Sequence, residues 1–192
     1  MLKRCLRFAL LTAALAVAAL ATGCATPANS ANMTVRAADA TAVRLQTPEA
    51  MKASVAIRDV TGGKDTNPMW VSSVASSDFE RALEDSLRSV GMLSANRQSG
   101  RFQLVAHLEK LDQPFAGFDM TVTATVAYTL IERATGKTTW QKSISTPYTA
   151  KVGDAFIGTE RLRLANEGTV RQNITQLIGE LQQLKAADIA VR

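Results

Sequence analysis

The chain of 192 residues predicts an α+β domain in which two helices pack on one face of a four-stranded mixed β-sheet, in the order β-α-β-β-β-α. Three observations predict it. The strand Ser54–Val60 is followed by an amphipathic helix and then by an alternating strand, so its connection is a crossover that leaves the two strands parallel. Thr121–Glu132 and Thr138–Tyr148 alternate apolar and hydroxyl-bearing residues on either side of Thr135-Gly136, the pattern of an antiparallel hairpin with one wet face. A final apolar stripe, Val170, Ile174, Leu177, Ile178, Leu181 and Leu184, repeats at helical spacing.

The chain opens on Lys3, Arg4 and Arg7, followed by the apolar run Phe8–Leu20. That run has the length of a signal-sequence core and falls short of the roughly 20 apolar residues a membrane-spanning helix needs. It closes on Leu20-Ala21-Thr22-Gly23-Cys24. The stretch resembles the lipobox of bacterial lipoprotein precursors, with Gly23 and Thr22 acceptable to that pattern and Ala21 standing where it usually has Leu. The resemblance implies cleavage between Gly23 and Cys24, a diacylglycerol anchor on the Cys24 thiol, and an acyl chain such as palmitate on its amine. Several chains together anchor stably where one is reversible. Ala25, rather than Asp, follows the cysteine, which by the family's sorting rule implies the outer membrane, facing the periplasm.

Ala25–Asn32 is small and polar and reads as the start of a tether. Met33–Arg36 reads as a short strand and Pro48–Met51 as a turn. The organisation expected is therefore a signal peptide over 1–23, the acylated cysteine and tether over 24–53, and one domain over 54–192. Thr61-Gly62-Gly63 ends the first strand, and a long loop carrying Pro68, Met69 and Trp70 follows. The helix Ser77–Val90 has capping-box spacing between Ser77 and Glu80, a stripe of Phe79, Ala82, Leu83, Leu87 and Val90, and Gly91 placed to end it. In Arg101–Leu111, Phe102, Leu104, Ala106 and Leu108 face one way. Asp112–Asp119 is a loop with Phe115 and Phe118. In the hairpin, Val122, Ala124, Val126, Tyr128 and Leu130 face inward, with Trp140 and Ile144 opposite them. The last helix is expected over Thr159–Leu184, weakened or bent at Gly168.

Charge and cysteine content exclude several classes. Of 22 Lys and Arg, three lie in the signal region, where none of the 17 acidic residues does, so the formal charge falls from +5 to +2 on cleavage. No clustered basic face marks a nucleic-acid partner. The only cysteines are Cys5 and Cys24, so the processed domain has no thiol for a disulfide or a thiolate metal site. The single histidine, His107, lies mid-strand and reads as a solvated side chain; no Gly-x-Ser-x-Gly elbow accompanies it. Gly62-Gly63-Lys64 lacks the rest of a phosphate loop. Glu84 and Asp85 diverge on a helix, and Asn173-Ile174-Thr175 lies within one. Asp112, Asp119 and Asp154 lie in loops and are the one acidic set able to converge for hydrolysis. No metal, cofactor or catalytic set is expected, apart from the covalent lipid on Cys24.

The remaining candidates are aromatic loops: Trp70, Phe115 and Phe118, with Asp154–Gly158 around Phe156 as a third. Loop aromatics either anchor a partner or fold back on the core. Phe79-x-x-Ala82-Leu83-x-x-x-Leu87-x-x-x-Gly91, Val126-x-Tyr128 and Gly136-x-x-x-Trp140, set in this element order, resemble small envelope lipoproteins. Among these are the lipopolysaccharide-assembly lipoprotein that plugs an outer-membrane barrel, the amino-terminal domain of the Tol-Pal propeller protein, and auxiliary lipoproteins of envelope transport. The resemblance implies a non-enzymatic role in envelope assembly or transport, through a protein or lipid partner. An envelope hydrolase using the loop carboxylates and a self-associating structural lipoprotein are the alternatives.

Overall fold

The computed structural model describes residues 25–68 and 71–184. The elements are α1 (Ser30–Met33), α2 (Ala37–Leu45), a 3₁₀ turn (Glu49–Met51), β1 (Val55–Thr61), α3 (Ser76–Ser89), β2 (Phe102–Asp112), β3 (Met120–Glu132), β4 (Thr138–Ala150) and α4 (Gly158–Gln183). The four strands form one sheet in the order β1-β2-β3-β4. β1 and β2 run parallel; β2, β3 and β4 are successive antiparallel neighbours. The mixed sheet with helices packed against it is the fold the sequence predicts.

The inward faces are the ones the alternation marks. Phe102, Leu104, Ala106, Val122, Ala124, Val126, Tyr128 and Leu130 are fully buried beneath α3 and α4. The other face is open to water along much of its area. There Thr121 meets Thr149, Thr125 meets Ser145, and Ser143 donates to Glu109, so hydroxyl pairs replace a second apolar layer. α3 ends as expected: Gly91 takes φ +76°, its N–H donates to Arg88 O, and Met92 N donates to Leu87 O, with the Met92 side chain buried. Its start differs. The helix begins at Ser76 and no side chain caps it; the Ser76 hydroxyl instead accepts from Gly63 N, and Glu80 pairs with Arg97.

α4 lies close on β3 and β4 because small and polar residues face them. An added Cβ on Gly168 would sit 2.3 Å from the Tyr148 ring, so this glycine sets the approach distance. The Thr169 hydroxyl accepts from Ala124 N and donates to Thr146 O. Asn173 accepts from the Tyr128 hydroxyl at 2.8 Å and donates to Ile144 O. Burial raises the Tyr128 phenol well above its usual pKa, because the phenolate would lose its solvation there.

Residues 25–53, expected as a tether, belong to the packed body. Ala25, Ala28, Met33 and Met51 are buried. The stretch expected as a strand from Met33 begins instead as the end of helix α1. The reason lies far along the chain. Glu167 of α4 is buried and receives Asn29 N at 2.8 Å and Asn32 Nδ2 at 3.0 Å, while Arg163 neutralises it. The carboxylate thus holds both ends of α1, through the backbone N–H of its N-cap residue Asn29 and the side-chain amide of Asn32, while Asn29 Oδ1 caps the helix at Ala31 N.

Candidate functional site

The topology gathers three loops at one end of the molecule. β1 runs parallel to β2, and β4 parallel to β2 across β3, so the C-terminal ends of β1, β2 and β4 share that end with the N-termini of β3, α3 and α4. The described parts of the 62–75 loop (62–68 and 71–75) and the loops 113–119 and 151–157 all lie there. These are the loops the sequence singles out for their aromatics. Beneath two of them sits a small separate core of Met120, Val122, Ala150, Leu162 and Ala165.

Arg161, near the start of α4, ties two of these loops together. Its guanidinium is buried and donates to Ala155 O at 2.7 Å, Phe156 O at 2.8 Å and Gly117 O at 3.4 Å. Asp119 accepts from Val152 N, linking the same two loops, and Asp154 accepts from Lys151 N within its own. The third loop joins through Gln113, whose Nε2 reaches both Ser72 O and Asn166 Oδ1 at 2.8 Å; Asn166 in turn donates to Ser72 O.

Fixed in this way, the loops hold their apolar side chains outward. Phe115 is completely exposed, Phe156 is 93 % and Phe118 87 % exposed, and Ile157 is more than half exposed. Phe79 and Phe102, by contrast, are fully buried. The rings therefore do not cap the core; Met120 and Leu162 already do that. Leaving a phenylalanine in water forgoes about 1.5–3 kcal/mol of burial. A shallow groove of about 300 Å³ runs between the 113–119 loop and the start of α4, lined by Pro114, Phe115, Met120, Gly158, Arg161 and Leu162. Trp70 lies outside the described residues, but Asn67 and Val71, which flank its segment, pair with one another through their backbones at this end.

The first described residues also lie here. Ala25 N donates to Pro68 O at 2.8 Å, and Thr26 O accepts from the Ser72 hydroxyl at 2.8 Å. Gly23 and Cys24 lie outside the described residues, but Ala25, the next residue, is seated on the loop end.

The carboxylates that the sequence left open as a catalytic set are each exposed. Asp112 pairs with Lys110 at 2.8 Å, and Asp119 and Asp154 accept from loop amides. His107 is exposed on the open sheet face with Nδ1 2.8 Å from the Thr61 hydroxyl. Among the described residues, no group of three or more His, Cys, Asp or Glu side chains is placed to hold a metal ion, and no helix is long and apolar enough to cross a membrane. Sequence reasoning missed Arg161 and Gln113. An arginine in the first turn of a helix reads as solvated, and only the loop carbonyls around it show its role.

No family model and no curated protein matches the chain. Solved structures do match in shape. A Xanthomonas campestris protein described as a DUF330 member superposes with a TM-score of 0.53 at 12 % identity, covering 71 % of this chain and 89 % of its own. A putative lipoprotein from Caulobacter crescentus gives a TM-score of 0.49 at 9 % identity, over 73 % and 93 % of the two chains. The PelC dodecamer from Paraburkholderia phytofirmans gives 0.48 at 16 % identity, over 72 % and 95 %. At these identities the first likeness shows the fold alone, and the other two are weaker still.

Proposed function

We propose that this protein is a lipid-anchored envelope lipoprotein, held by Cys24 in the outer membrane and facing the periplasm, that acts in envelope assembly or transport by binding a partner and without catalysis. The observation that carries the reading is the convergence of the aromatic loops and the start of the domain on one end of the fold. A rigid loop end with exposed phenylalanines suits contact, since exposed apolar patches mark interaction surfaces. The loop carboxylates, each exposed and engaged by an amide or a lysine, give hydrolysis no comparable support. The lipobox supplies the anchor, and no bound cofactor enters the account.

Photo-crosslinking in living cells tests it. A photoreactive residue replaces Phe115, Phe118 or Trp70 in the lipidated protein, with Gln141 on the open sheet face as the comparison site. A dominant adduct at the loop positions and none at Gln141 is the expected result. Adducts at Gln141 alone would move the binding surface to the sheet face and contradict the proposal.

A further inference from the structure

We infer that the loop end is a bilayer-contact surface: Phe115, Phe118, Phe156 and Ile157 sit in the lipid interface beside the acylated Cys24, so that the domain stands on the membrane with this end down. The inference rests on the anchor reading above and names its partner as a lipid surface.

Two facts on opposite sides of the chain meet here. The first is length. Once residues 25–53 are counted as body, no free tether separates Cys24 from the fold. Ala25 is buried and hydrogen-bonded to Pro68 O, and Cys24 lies one residue, at most about 4 Å of chain, beyond it. A lipid on that cysteine brings whatever surrounds Ala25 to the bilayer. The second is what surrounds it. Through Ser72 and Gln113, the first residues are hydrogen-bonded to the base of the 113–119 loop, and Arg161 locks that loop to 151–157. Three of the five phenylalanines among the described residues project from these two loops into water.

The charges of the end fit an apolar contact rather than an electrostatic one. Loops 62–68, 113–119 and 151–157 carry Lys64 and Lys151 against Asp65, Asp119 and Asp154, with no basic excess to seek anionic lipid. Asp119 and Asp154 spend their carboxylates on loop amides. Interfacial amphipathic helices bury their apolar face roughly 5–10 Å into the headgroup–acyl boundary, the layer into which these rings would project. The rings also hold their geometry without lipid, because the arginine staple and the small core beneath fix the loop backbones.

The test uses the full-length precursor, processed in cells and reconstituted in phosphatidylethanolamine–phosphatidylglycerol vesicles with and without brominated acyl chains. Single cysteines F115C, F118C and F156C, with K137C and Q141C as comparison sites, carry an environment-sensitive fluorophore. Cys5 is lost with the signal and Cys24 is blocked by acylation, so the label is site-specific. The expected result is blue-shifted emission that brominated chains quench at 115, 118 and 156 and leave unchanged at 137 and 141, with no dependence on salt. Water-like, unquenched emission at the three loop sites, in protein whose mass shows an acylated Cys24, would overturn the inference and leave the anchor standing. Blue-shifted emission without quenching would assign the rings to a second copy of the chain and overturn it too. Absence of acyl mass on Cys24 would overturn the anchor reading itself, and this inference with it.

Discussion

Arg161 is buried against carbonyl oxygens rather than a carboxylate, and this makes it the residue on which the loop end depends. A guanidinium's fixed donors suit several carbonyls at once, and charged hydrogen bonds are the stronger kind. Arg161→Gln should cost about 1–3 kcal/mol. Amide hydrogen exchange should quicken across 113–119 and 151–157 while the β3 core keeps its protection. Equal loss of protection throughout would mean the arginine supports the fold at large and not these loops. At this scale the sequence was only partly legible. Phe115, Phe118 and Phe156 stood out because aromatics are scarce in this chain, but their outward direction was not readable. That depends on Met120 and Leu162 having already filled the floor beneath them. Glu167 was equally opaque. Its partners Asn29 and Asn32 are more than 130 residues away, and local pattern carries no such information.

Among the elements, α4 shows how a sequence rule can have the wrong sign. A glycine inside a helix ordinarily weakens it by about 0.5–1 kcal/mol relative to alanine. By that rule Gly168→Ala would stabilise. In the fold the added methyl would collide with the Tyr148 ring, 2.3–2.5 Å away, and force α4 off the sheet or the ring off α4. We expect a loss of about 1–3 kcal/mol, as for other overpacked contacts. Gly179→Ala, with nothing within 4 Å of the new Cβ, should raise the melting temperature instead. Thermal unfolding of the pair decides the point: equal shifts would mean that Gly168 acts through helix propensity alone. The four strands of the sheet were legible nearly to the residue, because a period of two with one wet face leaves little freedom, whereas the strand expected over Met33–Arg36 rested on four residues and is absent. The cap of α3 was not. Ser77 had the right spacing, but the helix starts one residue earlier, where Ser76 is drawn to the Gly63 amide. The C-terminal motif at Gly91 was legible because it needs only a glycine and the apolar residue after it.

For the molecule as a whole, parallel pairing of β1 with β2 places the first long loop at the same end as the β2–β3 and β4–α4 loops. That one topological fact brings together segments separated by some 80 residues of sequence. The crossover predicted it; the seating of Ala25 on the same end was not predictable, since a small polar stretch carries the composition of a linker whether or not it docks. With the proposed anchor on Cys24, the consequence is orientation. An anchor on a long tether leaves a domain free to tumble, whereas an anchor one residue from a packed body fixes which face meets the membrane. The open, hydroxyl-lined sheet face would then stand beside the membrane normal and not beneath the domain.

All of this turns on Cys24. The most direct measurement is mass spectrometry of the N-terminal peptide of the protein purified from membranes. The account predicts a peptide beginning at Cys24 and heavier by a diacylglyceryl group and an amide-linked acyl chain. A peptide beginning at another residue, or at Cys24 with a free thiol and amine, would contradict it.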